Sequence, residues 1–305
     1  MKKPAFRPER FLVGNIAMVK KYLIWILLFV ASFSFLFVGY YFFFPDVAKL
    51  KRRHPAITSF MEYRMQEWER QGRKKKARQF WTDLSRVSPY VIKAVIIAED
   101  DKFWSHEGFD FEAMQKALLK DIKKRKFKAG GSTISQQLVK NLYLSPEKSP
   151  LRKIKEAIIT WRMERRLSKR RIIEIYLNVA EWGDGIFGIE AAARHYYGKP
   201  ALYLTAEEAA KLAAVLPNPR KYMPTGTAGY VESRASAIYR IMVKRGVVIP
   251  EYEAVMNEPG DMADPSQGEA PAPEEDGGGG EVPPVVTGGK PEKGAQSMPD
   301  AEKGI

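Results

Sequence analysis

No cysteine occurs in the 305 residues, so disulfides and thiolate chemistry are excluded, and redox usage indicates no compartment. Histidine is nearly as scarce, and His54, His106 and His195 are too scattered in sequence for a metal site. No G-K-[ST] follows the Gly130-Gly131 pair, which excludes a Walker A phosphate loop. "SPEK", residues 145–148, has serine–lysine acylation spacing, but it lies in a Pro-containing loop without S-D-N or K-T-G companions and reads as chance. Acids are scarce in the body. Residues 1–250 carry 47 bases and 23 acids, a net +24, whereas residues 251–305 carry 13 acids and 3 bases, a net −10. So basic a body calls for an anionic partner: nucleic acid, acidic lipid headgroups or a phosphorylated substrate.

What is present begins with "YLIWILLFVASFSFLFVGYYFFF", residues 22–44, which are 23 residues without a charge. As a helix they would span roughly 34 Å, enough to cross a bilayer. Tyr22, Trp25, Tyr40 and Tyr41 sit near the ends, as interfacial aromatics do. The run is longer than a signal-peptide core and ends in Phe42-Phe43-Phe44, so an uncleaved anchor is expected. Basic residues flank it on both sides, and the positive-inside rule leans toward the N-terminus in.

Five segments follow: a short cytoplasmic stretch (1–21), the anchor (22–44), a basic membrane-proximal linker or helical region (45–85), a body (86–246) and an acidic Pro/Gly-rich tail (251–305). Helical stretches are expected through "ITSFMEYRMQEWERQGRKKKARQFW". "RKKKAR" within it reads as a solvated face able to attract anionic lipid. The body reads as a run of helices with few strand signals, and "EWGDGIFG" is expected as a turn between helices. Ser88 and Pro89, Ser168, and the Thr205–Glu208 capping box mark helix starts. The tail is too poor in apolar residues to build a core and is expected to be disordered.

Three constellations could carry chemistry. Glu99 closes the apolar run Val95-Ile96-Ile97-Ala98, where desolvation would favour its protonated form and tune it toward general acid or base work; alternatively Glu99 and Asp100 end a helix and face water. In "GGSTISQQLVKN", a helix N-terminus follows two glycines, and about 100° per residue puts Thr133, Gln136, Gln137 and Lys140 on one face. That face is either a phosphate-binding stripe or the solvated side of an ordinary amphipathic helix. In "LRKIKEAIITWRMERRL", Arg152 and Glu156 share a face with Lys153 beside them. Apolar residues on both sides of that wheel imply a largely buried helix, so the Glu–Arg pair is either structural or a second carboxylate beside an anion site.

Together these residues resemble one family. "EDDKFWSHEGFD" fits the E-D-x-x-F-x-x-H-x-G-x-D signature of the peptidoglycan glycosyltransferases, which stand alone or form the N-terminal half of bifunctional penicillin-binding proteins. "GGSTISQQLVKN", "RKIKE" and "RRIIEIYLN" are similar to their second, third and fourth motifs, and the resemblance covers about residues 86–245. Ser135 stands where many members have Thr, and Arg170-Arg171 precede the fourth motif's apolar pair.

The resemblance implies a mostly α, lysozyme-like glycosyltransferase domain behind a single transmembrane helix. It would sit on the outer, periplasmic face of a bacterial cytoplasmic membrane and polymerise lipid II into β-1,4 glycan with release of undecaprenyl diphosphate. Glu99 would be the catalytic base, and Glu156 would assist at the donor phosphates. Lys140, Arg152 and Lys153 would balance the diphosphate, with Ser132, Thr133, Gln136 and Gln137 lining the site. Asp100, Phe103, His106, Gly108, Asp110, Tyr176 and Asn178 would shape the motifs. No organic cofactor is implied; a divalent metal, magnesium or manganese, is allowed at the diphosphate. Expected partners are lipid II, the growing glycan and the membrane, with room for other cell-wall or division proteins and none for nucleic acid. The alternatives are a lysozyme-like lytic enzyme, which would have little need of the cations, and a membrane adaptor binding acidic lipid or nucleic acid.

Overall fold

The computed structural model describes residues 9–124, 131–147, 149–226 and 229–249. Gly130 and the acidic tail, 251–305, lie outside them. The chain starts with α1 (Glu9–Phe43), which reaches back well before the uncharged run. Among the described residues it is the one helix long and apolar enough to cross a membrane, and its side chains from Tyr22 to Phe35 stand exposed.

The body is built of α2 (Ser59–Arg70), α3 (Pro89–Glu99), α4 (Phe111–Lys124), α5 (Ile134–Tyr143), α6 (Pro150–Arg166), α7 (Lys169–Val179), α8 (Ile189–Tyr197), α9 (Ala206–Val215) and α10 (Gly229–Lys244). α9 packs between α3 and α10. It buries Ala209, Ala210, Leu212, Ala213, Ala214 and Val215, so alanine supplies both helix propensity and a thin surface for close neighbours. α5 packs on α6 and α7 through Ile134, Leu138, Val139 and Leu142, the apolar stripe of its 3.6-residue repeat. The expected capping box at Thr205–Glu208 is formed, and Ser168 caps α7. Ser88 starts α3 but makes no capping bond; its hydroxyl donates instead to the Leu204 carbonyl at 2.8 Å, tying α3 to the start of α9.

Three sequence expectations are corrected. Helix α2 stops at Arg70, and the residues beyond it lead into strand β1 (Arg78–Gln79). "EWGDGIFG" is not a loose turn but a buried hairpin, β2 (Glu181–Gly183) and β3 (Ile186–Phe187). β3 lies between β2, antiparallel, and β1, parallel. Such short strands carry no alternating pattern to read. In α6 the Glu156–Ile159–Met163 side is buried, while Ile154 and Trp161 are exposed, the Trp161 ring lying against Phe42 at the foot of α1.

Residues 45–85 are packed into the body, with Met61, Arg64 and Trp68 almost fully buried. Arg64 holds this segment to the hairpin: its guanidinium reaches Glu181 at 3.2 Å, Asp184 at 2.5 Å and Glu67. Asp184 also takes Arg73 and Lys75, each at 2.7 Å, so "RKKKAR" is only partly solvated. Arg64→Ala would leave Glu181 buried without its cation, a loss of about 3–5 kcal/mol. Chemical denaturation is expected to show that loss, and an unchanged midpoint would refute this role of Arg64.

Candidate active site

Glu99 is the last residue of α3, three and four positions after the buried Ile96 and Val95. The same helix face that enters the core therefore carries its carboxylate inward. Only 12% of the side chain is exposed. Gln137 of α5 donates from Nε2 to Glu99 Oε2 at 2.9 Å, and Tyr176 of α7 donates to Gln137 Oε1 at 3.0 Å. Three helices thus converge on one carboxylate, and a directed chain runs from phenol to amide to Glu99. Burial pushes the Glu99 carboxyl above its ordinary value, with the Gln137 bond and the charges of Arg234 and Lys140 opposing. Burial also raises the Tyr176 phenol, so it remains a donor.

Asp100 faces the other way. Its Oδ2 accepts the Ile134 N–H at 2.9 Å, and its carboxylate takes His106 Nε2 at 2.9 and 3.0 Å. His106 Nδ1 accepts the Gly108 N–H at 3.0 Å, so the proton sits on Nε2 and points at Asp100. Gly108 has φ +92°, and a Cβ there would meet Glu164 Cγ at 2.9 Å, so glycine is required at this turn. Phe103 is wholly buried with the Lys169 ammonium 4.6 Å over its ring, and Asp110 Oδ1 accepts the Ala113 N–H at the start of α4. Asn178 bonds both backbone groups of Thr82 at 2.8 Å. Asp101 pairs with Arg245, at 2.5 Å. These residues build the frame.

The second carboxylate, Glu156, is buried on α6 between cations. Arg152 Nη1 reaches Glu156 Oε2 at 2.8 Å, and Lys153 bonds the other oxygen. Lys153 also reaches Ser132 Oγ at 3.3 Å. Lys140 of α5 lies within the field of Glu156, Arg152, Glu99 and Lys153; burial, with Arg152 and Lys153, lowers its ammonium pKa. Three cations against Glu156 leave a positive surplus next to the partly open Glu99, the arrangement an anionic leaving group needs.

Two expectations for α5 are corrected. Thr133 and Gln136 do not line an open site: both are 2% exposed and bond one another in a capping box, with Thr133 Oγ1 donating to the Gly108 carbonyl at 2.7 Å. Nor is the α5 N-terminus free for a phosphate. Its Ile134 N–H is held by Asp100, so the anion there is the protein's own. Gln137 and Lys140 lie toward Glu99, and Ser132 Oγ lies 3.3 Å from the Lys153 ammonium.

Sequence reasoning missed Arg234. From α10 its Nη2 reaches Glu99 Oε1 at 3.5 Å and the Ala98 carbonyl at 3.1 Å, and its Nε has no hydrogen-bond partner among the described residues. The signal was its position on the apolar stripe Val231–Ala235–Ile238–Met242, where a charge is out of place unless it has a partner.

The residues do not fit a resident divalent metal at Glu156. Both its oxygens are held by cations, and no group of three or more His, Asp or Glu side chains converges among the described residues.

The profile of the Transglycosylase family matches residues 65–243. The chain belongs to that family. It is 47% identical over 195 residues to a biosynthetic peptidoglycan transglycosylase of Nitrosospira multiformis, covering 64% of this chain and 85% of that protein. It is 50% identical over 192 residues to one from an Azoarcus species (63% and 83%), and 49% over 199 to one from Laribacter hongkongensis (65% and 87%). A crystal structure of penicillin-binding protein 1A from Haemophilus influenzae aligns with a TM-score of 0.32 and 20% identity, over 60% of this chain and 18% of that one, too slight a likeness to weigh.

Gln137 donates to ionised Glu99, so its removal disfavours the charged form and raises that pKa further. If Glu99 acts as a base, kcat/KM falls as pH drops through its pKa. Gln137→Leu is therefore expected to move the acid limb of the kcat/KM profile to higher pH. Activity lowered evenly at every pH would contradict the assignment.

Proposed function

We propose that this chain is a biosynthetic peptidoglycan glycosyltransferase, joining lipid-linked disaccharide-peptide units of lipid II into β-1,4 glycan. The observation that carries the reading is the pairing of one buried carboxylate, Glu99, with a cation cluster from α5 and α6. A hydrolase of neutral glycan has no use for Lys140, Arg152 and Lys153 in that position.

Glu99 takes the proton from the acceptor's sugar 4-hydroxyl as that oxygen attacks the anomeric carbon of the donor. The bond to the donor diphosphate breaks, and its electron pair leaves with undecaprenyl diphosphate. Attack opposite to departure inverts the carbon. Lys140, Arg152 and Lys153 meet the charge developing on the leaving oxygens, and no acid is needed because a diphosphate leaves as an anion. Arg234 and Gln137 keep Glu99 ionised enough to accept a proton despite its burial. Glu156 sets the places of Arg152 and Lys153. The exposed apolar helix α1 fits a single-pass anchor in the bacterial cytoplasmic membrane with the body on its outer face, where a lipid-linked substrate stays in reach.

Purified full-length chain with labelled lipid II is expected to yield long glycan that lysozyme digests. Glu99→Gln should lower the rate by about a hundredfold or more with the fold unchanged. Absence of glycan from folded protein, or an unimpaired Glu99→Gln variant, would overturn the reading.

A further inference from the structure

At the foot of α1 a cavity of about 430 Å³ lies between Phe42 and Phe43 on one side and Trp161, Arg162, Arg165 and Arg166 of α6 on the other. The charges in it do not serve the catalytic site. Arg165 is nine residues beyond Glu156, about 13 Å along the helix and turned by about 180°, so it lies on the opposite face. Arg162 is committed: its two terminal nitrogens cap the end of α1 at the Tyr41 carbonyl, 3.0 Å, and the Phe43 carbonyl, 2.9 Å. Arg165 and Arg166 are exposed and have no acidic partner among the described residues. Arg165 stacks over the Trp161 ring at 4.3 Å, and that ring meets Phe42 edge-on at 5.8 Å. The one acid in the wall, Asp46, is occupied by the Ala48 N–H at 3.0 Å and lies 3.8 Å from Lys49. Burial and the charge of Arg166 lower the Arg162 pKa, and the nearby Asp46 carboxylate partly opposes them. Two arginines at a helix C-terminus suit its dipole, but that alone does not explain the aromatic floor or a cavity continuous with an exposed apolar helix.

We infer that this cavity binds the phosphate headgroup of an anionic phospholipid, whose acyl chains run along the apolar surface of α1. Arginine presents paired donors that match phosphate oxygens, and Trp161, Phe42 and Phe43 lie where interfacial aromatics border headgroups. The site is distinct from the one that handles the substrate diphosphate. It would hold the body at a fixed height and angle on the membrane.

The test uses the full chain in nanodiscs of phosphatidylcholine with or without phosphatidylglycerol, followed by detergent extraction and mass spectrometry of retained lipid. Wild type is expected to retain phosphatidylglycerol in preference to phosphatidylcholine. The Arg165→Gln/Arg166→Gln double variant should lose about tenfold or more of that retention, given the usual contribution of each basic residue near anionic lipid. A charge-matched control at two exposed lysines elsewhere on the body, Lys93→Gln/Lys244→Gln, should retain it as wild type does. Equal retention by the arginine variant would overturn the inference. So would an equal loss in the lysine control, which would mean diffuse surface attraction, or displacement of the lipid by inorganic phosphate, which would mean a site for soluble anions. Circular dichroism melting of each variant separates lost binding from lost fold. Because no lipid II is used, failure here is separable from failure of the glycosyltransferase reading.

Discussion

The carboxylate of Asp100 joins pieces of chain that would otherwise set their own positions. It holds the first N–H of α5 and the ring of His106, and His106 in turn holds the backbone of Gly108. The loop leaving α3 is thereby locked to the start of α5. Since Glu99 precedes Asp100 and Gln137 lies one turn inside α5, the same contact determines how far the Glu99 carboxylate stands from its hydrogen-bond donor. An anion at a helix N-terminus is favourable in its own right. Here it also spends that terminus on structure, so in the proposed reaction side chains rather than backbone N–H groups meet the substrate's phosphates.

The site then divides its charges by depth. Glu99 is nearly buried, which raises its proton affinity, while Gln137, Arg234 and Lys140 restrain the rise. Glu156 is buried too, but both its oxygens face cations. Two carboxylates of the same type thus meet different surroundings: one is left partly open, and the other is held between Arg152 and Lys153.

Much of this was legible in the sequence because helix signals are local. The capping residues Ser168 and Thr205, and the amphipathic character of α5, need only neighbours a few positions away. The motif spacing brought Glu99, Lys140, Arg152, Lys153 and Glu156 together before any geometry was known. What escaped depends on distant partners. β1 and β3 are two residues each and exist because Arg78 and Ile186 meet across 108 positions. Thr133 and Gln136 read as a binding stripe because a helical wheel cannot show that a capping box turns both inward. The exposed side of α6 read as buried because a wheel does not distinguish protein from the foot of an apolar helix. Arg234 went unnoticed because its partner Glu99 is 135 residues away.

The central claim is that Glu99 is a base whose proton affinity is raised by burial and restrained by Gln137, Arg234 and Lys140. Carbon-13 NMR of the glutamate carboxyls tests it most directly, with Glu99→Gln identifying the resonance. The Glu99 signal is expected to titrate above the ordinary glutamate value. A Glu99 carboxyl that titrates at or below that value would contradict it.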